Sequence, residues 1–403
     1  MKAALIQEPM AVLAVLLTVL SALYAVERTR AGGRLFQVVP LLVFAYFVPT
    51  LLSNLGVIPT QSELYRFVRM YLLPGSLVLL VLSVDLPGIA RLGRDAVVLF
   101  LAGTLGIMVG GPLAYLVLGR LVPAELGDQA WKGLAALSGS WIGGSANFVA
   151  IGQSVGALDS ILSMMVVVDV GVSNVWTAVL LSFAGRELAM DARIGADRRA
   201  LEAVREEAAR LQAGTARPAS LPDLMWMVTI AFGVTVAATE LAARLPDIGT
   251  VVTGFTWVVL LVTTAGVVLS FTPARKLEGA GASRMGSLFL YLLVATIGAQ
   301  AEFRKLLDAP ALVAVGALWM VIHAGVTMGV RRYLRAPVFF AAVGSQANVG
   351  GTASASVVAA AFHPALAPVG VLLAVLGYVL GTYGGLVTAL VLEQVHHFIH
   401  GGG

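Results

Sequence analysis

The chain has 403 residues, of which 59% are hydrophobic and only 12% charged, against roughly a quarter charged in an ordinary soluble domain. A core surrounded by water cannot bury that much apolar surface, so hydrocarbon must be part of the solvent. There is no cysteine, which excludes thiolate chemistry and thiol-ligated metals, and the net charge of +4 comes from Lys and Arg in short loops between apolar runs, a membrane-protein pattern rather than a nucleic-acid footprint.

Lys2, Glu8 and Pro9 precede an apolar run from Met10 to Val26 with no cleavage motif, so this run reads as a first membrane helix rather than a removable signal. Further apolar stretches fall at about 35–53, 65–84, 95–119, 133–156 and 160–184. After a hydrophilic interval they resume at about 223–243, 250–271, 284–300, 310–330, 336–361 and 366–392. Each approaches the roughly 20 residues a spanning helix needs. The expected fold class is an all-α polytopic membrane protein.

The long polar interval runs from Arg186 to Ser220. Asp197 to Glu207 reads as a short charged helix with Arg198/Glu202 and Glu206/Arg210 four apart, stopped by Gly214 and Pro218. Its plain reading is a solvated linker. The chain then divides into a first transmembrane repeat at 1–185, a linker at 186–222 and a second repeat at 223–403.

The repeats match in three places. Gly143-Gly144-Ser145-Ala146-Asn147 in segment five answers Gly350-Gly351-Thr352-Ala353-Ser354 in segment eleven; Asn174 to Leu181 answers Gly385 to Leu392; and the short stretches Leu86 to Asp95 and Ala301 to Pro310 both follow a third segment. Three matches in one order point to an internal duplication, a hallmark of secondary transporters. Segments five and eleven either span or re-enter. Both topologies leave 18 of the 26 Lys and Arg on the linker side, so charge does not choose between them.

Paired glycines weaken a helix by about 1 kcal/mol each, and an unwound backbone is tolerated in a membrane only where it lines a cavity or meets other protein. Segment five carries Ser140, Gly143, Gly144, Ser145 and Asn147; segment eleven carries Ser345, Gln346, Asn348, Gly350, Gly351, Thr352 and Ser354. These are the candidate substrate-binding positions. The competing reading is close helix packing through small residues. Asp169 stands inside an apolar run, at a cost of about 2.5–3.5 kcal/mol on insertion scales, with Ser173 and Thr177 following at four-residue intervals and Asn174 beside them. Asp169, Ser173 and Asn174, with Asn147, Asn348 and Thr352, are the candidate cation ligands. Asp85, Glu240 and Glu302 read as interfacial charges, His323 as an interhelical hydrogen bonder, and His396, His397 and His400 as an exposed tail. There is no Walker A sequence, H-E-x-x-H or nucleophile elbow, and no enzymatic activity is expected.

Residues Ser140 to Phe148 and Ser345 to Ser354 resemble the signatures of the YjcL-like membrane proteins, a bacterial and plastid family catalogued as a domain of unknown function, and the likeness covers nearly the whole chain. That family is grouped with the cation/proton antiporter and anion transporter superfamily, which includes bile-acid sodium symporters and glutamate and citrate carriers. The resemblance implies inverted repeats, a dimerising scaffold and a mobile core moving as an elevator. It also implies a site where broken or re-entrant helices cross, with Ser145, Asn147, Asn348, Thr352 and Ser354 there and Asp169 on the following helix. Val168 departs from the paired aspartates of the electrogenic antiporters, so their type of proton exchange is not implied.

The expectation is a secondary active transporter of the bacterial inner membrane, Na⁺- or H⁺-coupled, for a small and optionally anionic organic solute. Its expected partners are that solute, the coupling cation, lipid and a second copy in a homodimer, with no nucleic acid and no cofactor other than a bound Na⁺. A non-transporting receptor or assembly subunit that retains the fold is the alternative.

Overall fold

The computed structural model describes residues 4–38, 41–199, 201–205, 217–300 and 310–400. Among the described residues there are helices and turns but no sheet, with one isolated bridge between Ile248 and Val252. In the first half, α1 (Pro9–Glu27), α2 (Arg30–Val38) and α3 (Leu41–Asn54) precede α4 (Glu63–Phe67), which continues through a π-turn at Val68–Leu72 into α5 (Leu73–Leu82). Then come α6 (Leu86–Arg91), α7 (Arg94–Leu118), α8 (Gln129–Ser154) and α9 (Asp159–Ala184), with α10 (Glu187–Ala192) opening the linker. The second half comprises α11 (Leu221–Ala242), α12 (Gly254–Ser270), a 3-10 stretch Pro273–Ala280, α13 (Ala282–Gln300), α14 (Pro310–Leu334), α15 (Val338–Val349), α16 (Gly351–Phe362) and α17 (Ala367–His400).

Polar caps set several of these starts. Glu8 accepts from the Met10 and Ala11 amides ahead of Pro9 in α1, and Ser220 with Asp223 forms a capping box ahead of Pro222 in α11. Each supplies an acceptor for helix amides that have no partner of their own.

Among the described residues nine helices are long and apolar enough to cross a bilayer, α8 among them. Yet α8 folds back on itself at Gly143 and Gly144, whose backbone angles are not helical. A Cβ on Gly139 would stand 2.6 Å from the Asn147 carbonyl oxygen, and one on Gly152 3.3 Å from the Ala136 Cβ. From 136 to 152 along a straight helix is ~24 Å. The Leu158 amide also donates to Gln129 Oε1 at 2.8 Å, bringing the two ends of the element together. The α15–α16 pair does the same: the rings of Phe339 and Phe362, one near each end, are 5.5 Å apart. Segments five and eleven are therefore re-entrant hairpins.

Each half, among the described residues, sends five helical segments across the bundle: α1, α3, α4–α5, α7 and α9, then α11, α12, α13, α14 and α17. Contacts at the ends fix the faces. On the linker side, Arg275 pairs with Asp85 at 2.5 Å and the Arg217 amide donates to the Gly279 carbonyl at 2.9 Å. On the opposite side, Arg69 pairs with Asp159 at 3.1 Å and Thr250 donates to Glu393. An odd number of crossings inverts the second half relative to the first. The hairpin α8 accordingly enters from the face opposite the linker, and α15–α16 from the linker face.

The helices sort into two groups. In a scaffold group α11, α12 and α13 pack on α5, every residue of which is buried, and α1 and α3 pack on α13. A core group of α7, α8, α9, α14, α15, α16 and α17 contains both hairpins. Within the core group, Gly377, Gly381 and Gly385 of α17 lie against Gly139 and Ile142–Gly143 of α8, so close that added Cβ atoms would meet backbone. The small-residue packing weighed for these motifs is thus present along the hairpin itself.

The linker is tied to the core group. Asp191, 2% exposed, accepts from Arg331 at 3.0 Å, Arg198 at 2.8 Å and the Val338 amide at 2.8 Å. The charged linker helix is therefore docked rather than simply solvated: Leu201 and Val204 are buried against the core. The histidine tail also departs from expectation. Because α17 stays helical to His400, His396 is buried and its Nδ1 lies 2.7 Å from the Tyr115 hydroxyl. Glu302 and the stretch 301–309 lie outside the described residues.

The native chain has no cysteine, so single cysteines report topology cleanly. Cysteines at Asp128 and Leu158 are expected to react with an impermeant maleimide from one side of sealed vesicles, and cysteines at Pro337 and His363 from the other. Labelling of the two members of either pair from opposite sides would mean that the segment spans.

Candidate functional site

The two breaks have the same form. Gly143 (φ −140°) is followed by Gly144 at φ +76°, and Gly350 (φ −115°) by Gly351 at φ +68°. A left-handed second residue costs a side-chain-bearing amino acid roughly 1–2 kcal/mol, which is why a glycine stands second in each pair. The tips lie side by side at α17: a Cβ on Gly377 would be 2.7 Å from the Ile142 carbonyl oxygen and 3.5 Å from that of Ala347.

Each hairpin is held by a buried asparagine bonded in the same way. Asn147 donates to the Gly143 and Tyr378 carbonyls, both at 3.0 Å, and accepts from Thr382 at 2.7 Å. Asn348 donates to the Gly344 carbonyl at 2.9 Å and the Phe100 carbonyl at 3.0 Å, and accepts from Thr104 at 2.8 Å. In both, the partner helix offers an aromatic residue's carbonyl and, one turn on, a Gly-Thr pair: Tyr378 with Gly381-Thr382, Phe100 with Gly103-Thr104. The glycine is required because a Cβ there would lie 2.6 Å (Gly381) or 2.9 Å (Gly103) from the amide nitrogen. These amides answer backbone carbonyls that hydrocarbon cannot solvate.

Asp169 on α9 faces the first limb of α8. Its Oδ2 accepts from Ser140 at 2.6 Å and its Oδ1 from the Trp141 indole at 2.8 Å. Trp141 meets Trp319 edge-on at 5.0 Å, and Trp319 donates to the Ile107 carbonyl at 2.8 Å. Two turns along α9, Trp176 donates to Ser345 at 2.8 Å, and Thr177 and Gln346 exchange hydrogen bonds at 3.0 and 3.2 Å. His323 completes the set, with its ring nitrogens 2.9 Å from the Gly103 carbonyl and 2.7 Å from Ser345. One helix thus grips both hairpins, the first through Asp169 and the second through Trp176 and Thr177.

Two cavities flank the tips at the boundary of the groups. A small one of about 40 Å³ lies between α3 and α13 of the scaffold and α8 and α9 of the core, with Ser145, Asp169 and Tyr46 in its wall. It has room for little more than water or an ion. A large one of about 1900 Å³ opens toward the linker side between α1, α5 and α13 and α17, with Thr352 and Tyr378 in its wall. Ser145 and Thr352 are the residues that follow the two breaks, so related positions face very different spaces.

The candidate residues therefore divide. Ser140 joins Asp169, Ser345 and Gln346 join α9, Asn147 and Asn348 brace the hairpins, and Gly143, Gly144, Gly350 and Gly351 form the breaks. Ser145 and Thr352 face cavities, and Ser354 bonds its own Gly350 carbonyl at 2.6 Å. Of the six candidate cation ligands, Asp169 alone lines the small cavity; Asn147 and Asn348 bond other helices, Thr352 faces the other cavity, and Ser173 and Asn174 lie farther along α9. Among the described residues no cluster of three His, Cys, Asp or Glu could hold a metal ion. Sequence reasoning missed Thr104, Thr382, Tyr46, Tyr378 and the two tryptophans at 141 and 319. The recurring aromatic-x-x-Gly-Thr string was the signal that could have found the first two.

Removing one partner of a buried hydrogen-bonded pair costs about 1–3 kcal/mol. Asn348→Ala and Thr104→Val are each expected to lower the melting temperature of the purified protein. The double variant should lose less than the sum, with a coupling of about 0.5 kcal/mol or more. Ser354→Ala, whose bond is local, should leave melting nearly unchanged.

A family model described as "Protein of unknown function (DUF819)" matches residues 12–395. The chain is also 24% identical over 353 residues to the "Uncharacterized membrane protein YjcL" of Bacillus subtilis (strain 168), covering 83% of this chain and 85% of that protein.

Proposed function

The chain belongs to the family described as protein of unknown function (DUF819), and we propose that it is a secondary active transporter that moves a small organic solute together with, or against, Na⁺ or H⁺. The observation that carries this reading is the inequality of the two cavities. Inverted repeats make two access routes to one central site, and alternating access requires that one be open while the other is shut. Here the route past Thr352 is a cavity of about 1900 Å³ and the route past Ser145 is reduced to about 40 Å³. The linker side bears 18 of the 26 Lys and Arg, which assigns it to the cytoplasm under the positive-inside rule. The open state is then the inward-facing one, and movement of the core group along the scaffold would exchange the two cavities.

Asp169 is the residue we assign to the coupling cation. Among the described residues its carboxylate accepts only from the neutral donors Ser140 and Trp141, and an intramembrane carboxylate calls for a partner of opposite charge or a proton. The space beside it, walled also by Ser145 and Tyr46, suits a single small cation.

Solid-supported-membrane recordings from proteoliposomes test the reading directly. A panel of organic solutes applied under Na⁺ or pH gradients is expected to include some that evoke ion-dependent currents, and Asp169→Asn should reduce those currents at least tenfold while the protein still melts cooperatively. Currents that survive Asp169→Asn with the same ion dependence would remove Asp169 from the coupling role.

The ion pair of Arg69 with Asp159, joined by Gln300 at 3.2 Å from Arg69, bridges the groups on the closed face. A cysteine at Ser145 is expected to react slowly from that face, and severalfold faster once Arg69→Gln or Asp159→Asn has loosened the closure. Unchanged reactivity would mean that other contacts hold the route shut.

A further inference from the structure

The charges around the large cavity define what it receives. Among the described residues its lining includes five cationic side chains but only two carboxylates, Asp85 and Glu278. Two of the cations are already neutralised: Arg217 forms a two-bond pair with Asp223 at 2.6 and 2.7 Å, and Arg275 pairs with Asp85 at 2.5 Å. Glu278, itself in the wall, caps the next helix, accepting from the Ser283 amide at 3.0 Å and its hydroxyl at 2.7 Å, with Arg284 close by. That leaves Arg28 and Lys276, both exposed in the wall and, among the described residues, without a carboxylate partner. A positively charged concave wall concentrates anions, and the low-dielectric surroundings strengthen the effect.

Farther in, the wall becomes apolar along the end of α5, the turn after it and α17, with Leu80, Val84, Leu372 and Val375. At the inner end Thr352 and Tyr378 face each other, and Thr352 lies in the first turn of α16, whose N-terminus has no side-chain cap. The polarity along the cavity is therefore cationic at the mouth, apolar in the middle and hydrogen-bonding at the end.

We infer that this cavity binds an organic anion with an apolar body, a carboxylate on a short hydrocarbon skeleton being the simplest case. Arg28 and Lys276 draw it in, and the apolar wall selects against small inorganic anions. The inference rests on the transport reading only for what happens after binding. The mouth is also near the level of lipid headgroups, so an anionic headgroup is the competing source of the same charge.

The test is the thermal stability of the full chain in phosphatidylcholine nanodiscs, titrated with acetate, butyrate and hexanoate and with the amide and amine of each. The carboxylates are expected to stabilise saturably, more tightly as the chain lengthens, and more tightly than either matched analogue. Raising KCl should weaken the effect in the native protein, and Arg28→Gln and Lys276→Gln should each weaken it roughly threefold, in the range of exposed charge contacts. Amides that bind as well as carboxylates, amines that bind better, or an affinity indifferent to salt and to both substitutions would each overturn the inference. Loss of the effect when phosphatidylglycerol replaces part of the lipid would assign the cavity's charge to headgroups and overturn it equally. Carboxylate binding without any solute-evoked current would leave this inference standing and sink the transport reading. Currents evoked by cationic solutes alone would do the reverse.

Discussion

The rest of the structure follows from one constraint: a helix broken inside a membrane exposes amides and carbonyls that hydrocarbon cannot satisfy. Two glycine pairs impose such breaks, and each must be enclosed by other helices. In each hairpin a neighbouring helix presents a glycine so that an asparagine amide can reach its backbone, and a threonine one turn on donates to the amide oxygen. Asn147 does this at the first break itself, through the Gly143 carbonyl, and Asn348 on the limb leading to the second break, through the Gly344 carbonyl. The two tips then lie side by side against α17, with α9 bonded to both hairpins.

Much of this was legible in the sequence, for reasons that differ by feature. The all-α membrane class follows from composition and from segment length, which the bilayer dictates. The matched glycine motifs announced the breaks because paired glycines inside apolar sequence have few other uses. Whether the segments span or return was not legible, because a hairpin of two short apolar helices and one spanning helix have the same hydropathy and here leave the same basic residues on the linker side. Only the contact of residues far apart in sequence, Ala136 with Gly152 or Phe339 with Phe362, separates them. The asparagines were visible as polar residues, but their partners were not: Thr104 and Thr382 look like ordinary membrane-helix threonines until a distant asparagine is brought to them. Asp169 was conspicuous because of its charge, whereas Trp141, which bonds it, looked like one more apolar residue.

The packing also distinguishes close, shape-specific contacts from replaceable ones. Wherever a glycine lets one helix press against another's backbone, both helices belong to the same group. Gly286 against Ser76 and Gly298 against Tyr46 join scaffold to scaffold; Gly344 against Phe100 and Gly370 against Ala355 join core to core. Such contacts are close and shape-specific, and they do not survive displacement of one helix along another. Between the groups the bonds are of another kind: Tyr46 with Ser163, Thr263 with Thr382 at 3.2 Å, Thr264 with Tyr383 at 2.7 Å, and the ion pair of Arg69 with Asp159. Hydroxyl pairs and a partly exposed ion pair are each worth about 1 kcal/mol and can be exchanged for equivalent bonds after a shift. The plane of weak, replaceable contacts runs between the two cavities. Thr382 stands on that plane, bonded to Asn147 on one side and Thr263 on the other, so a displacement of the core group is felt first at the amide that braces the first hairpin.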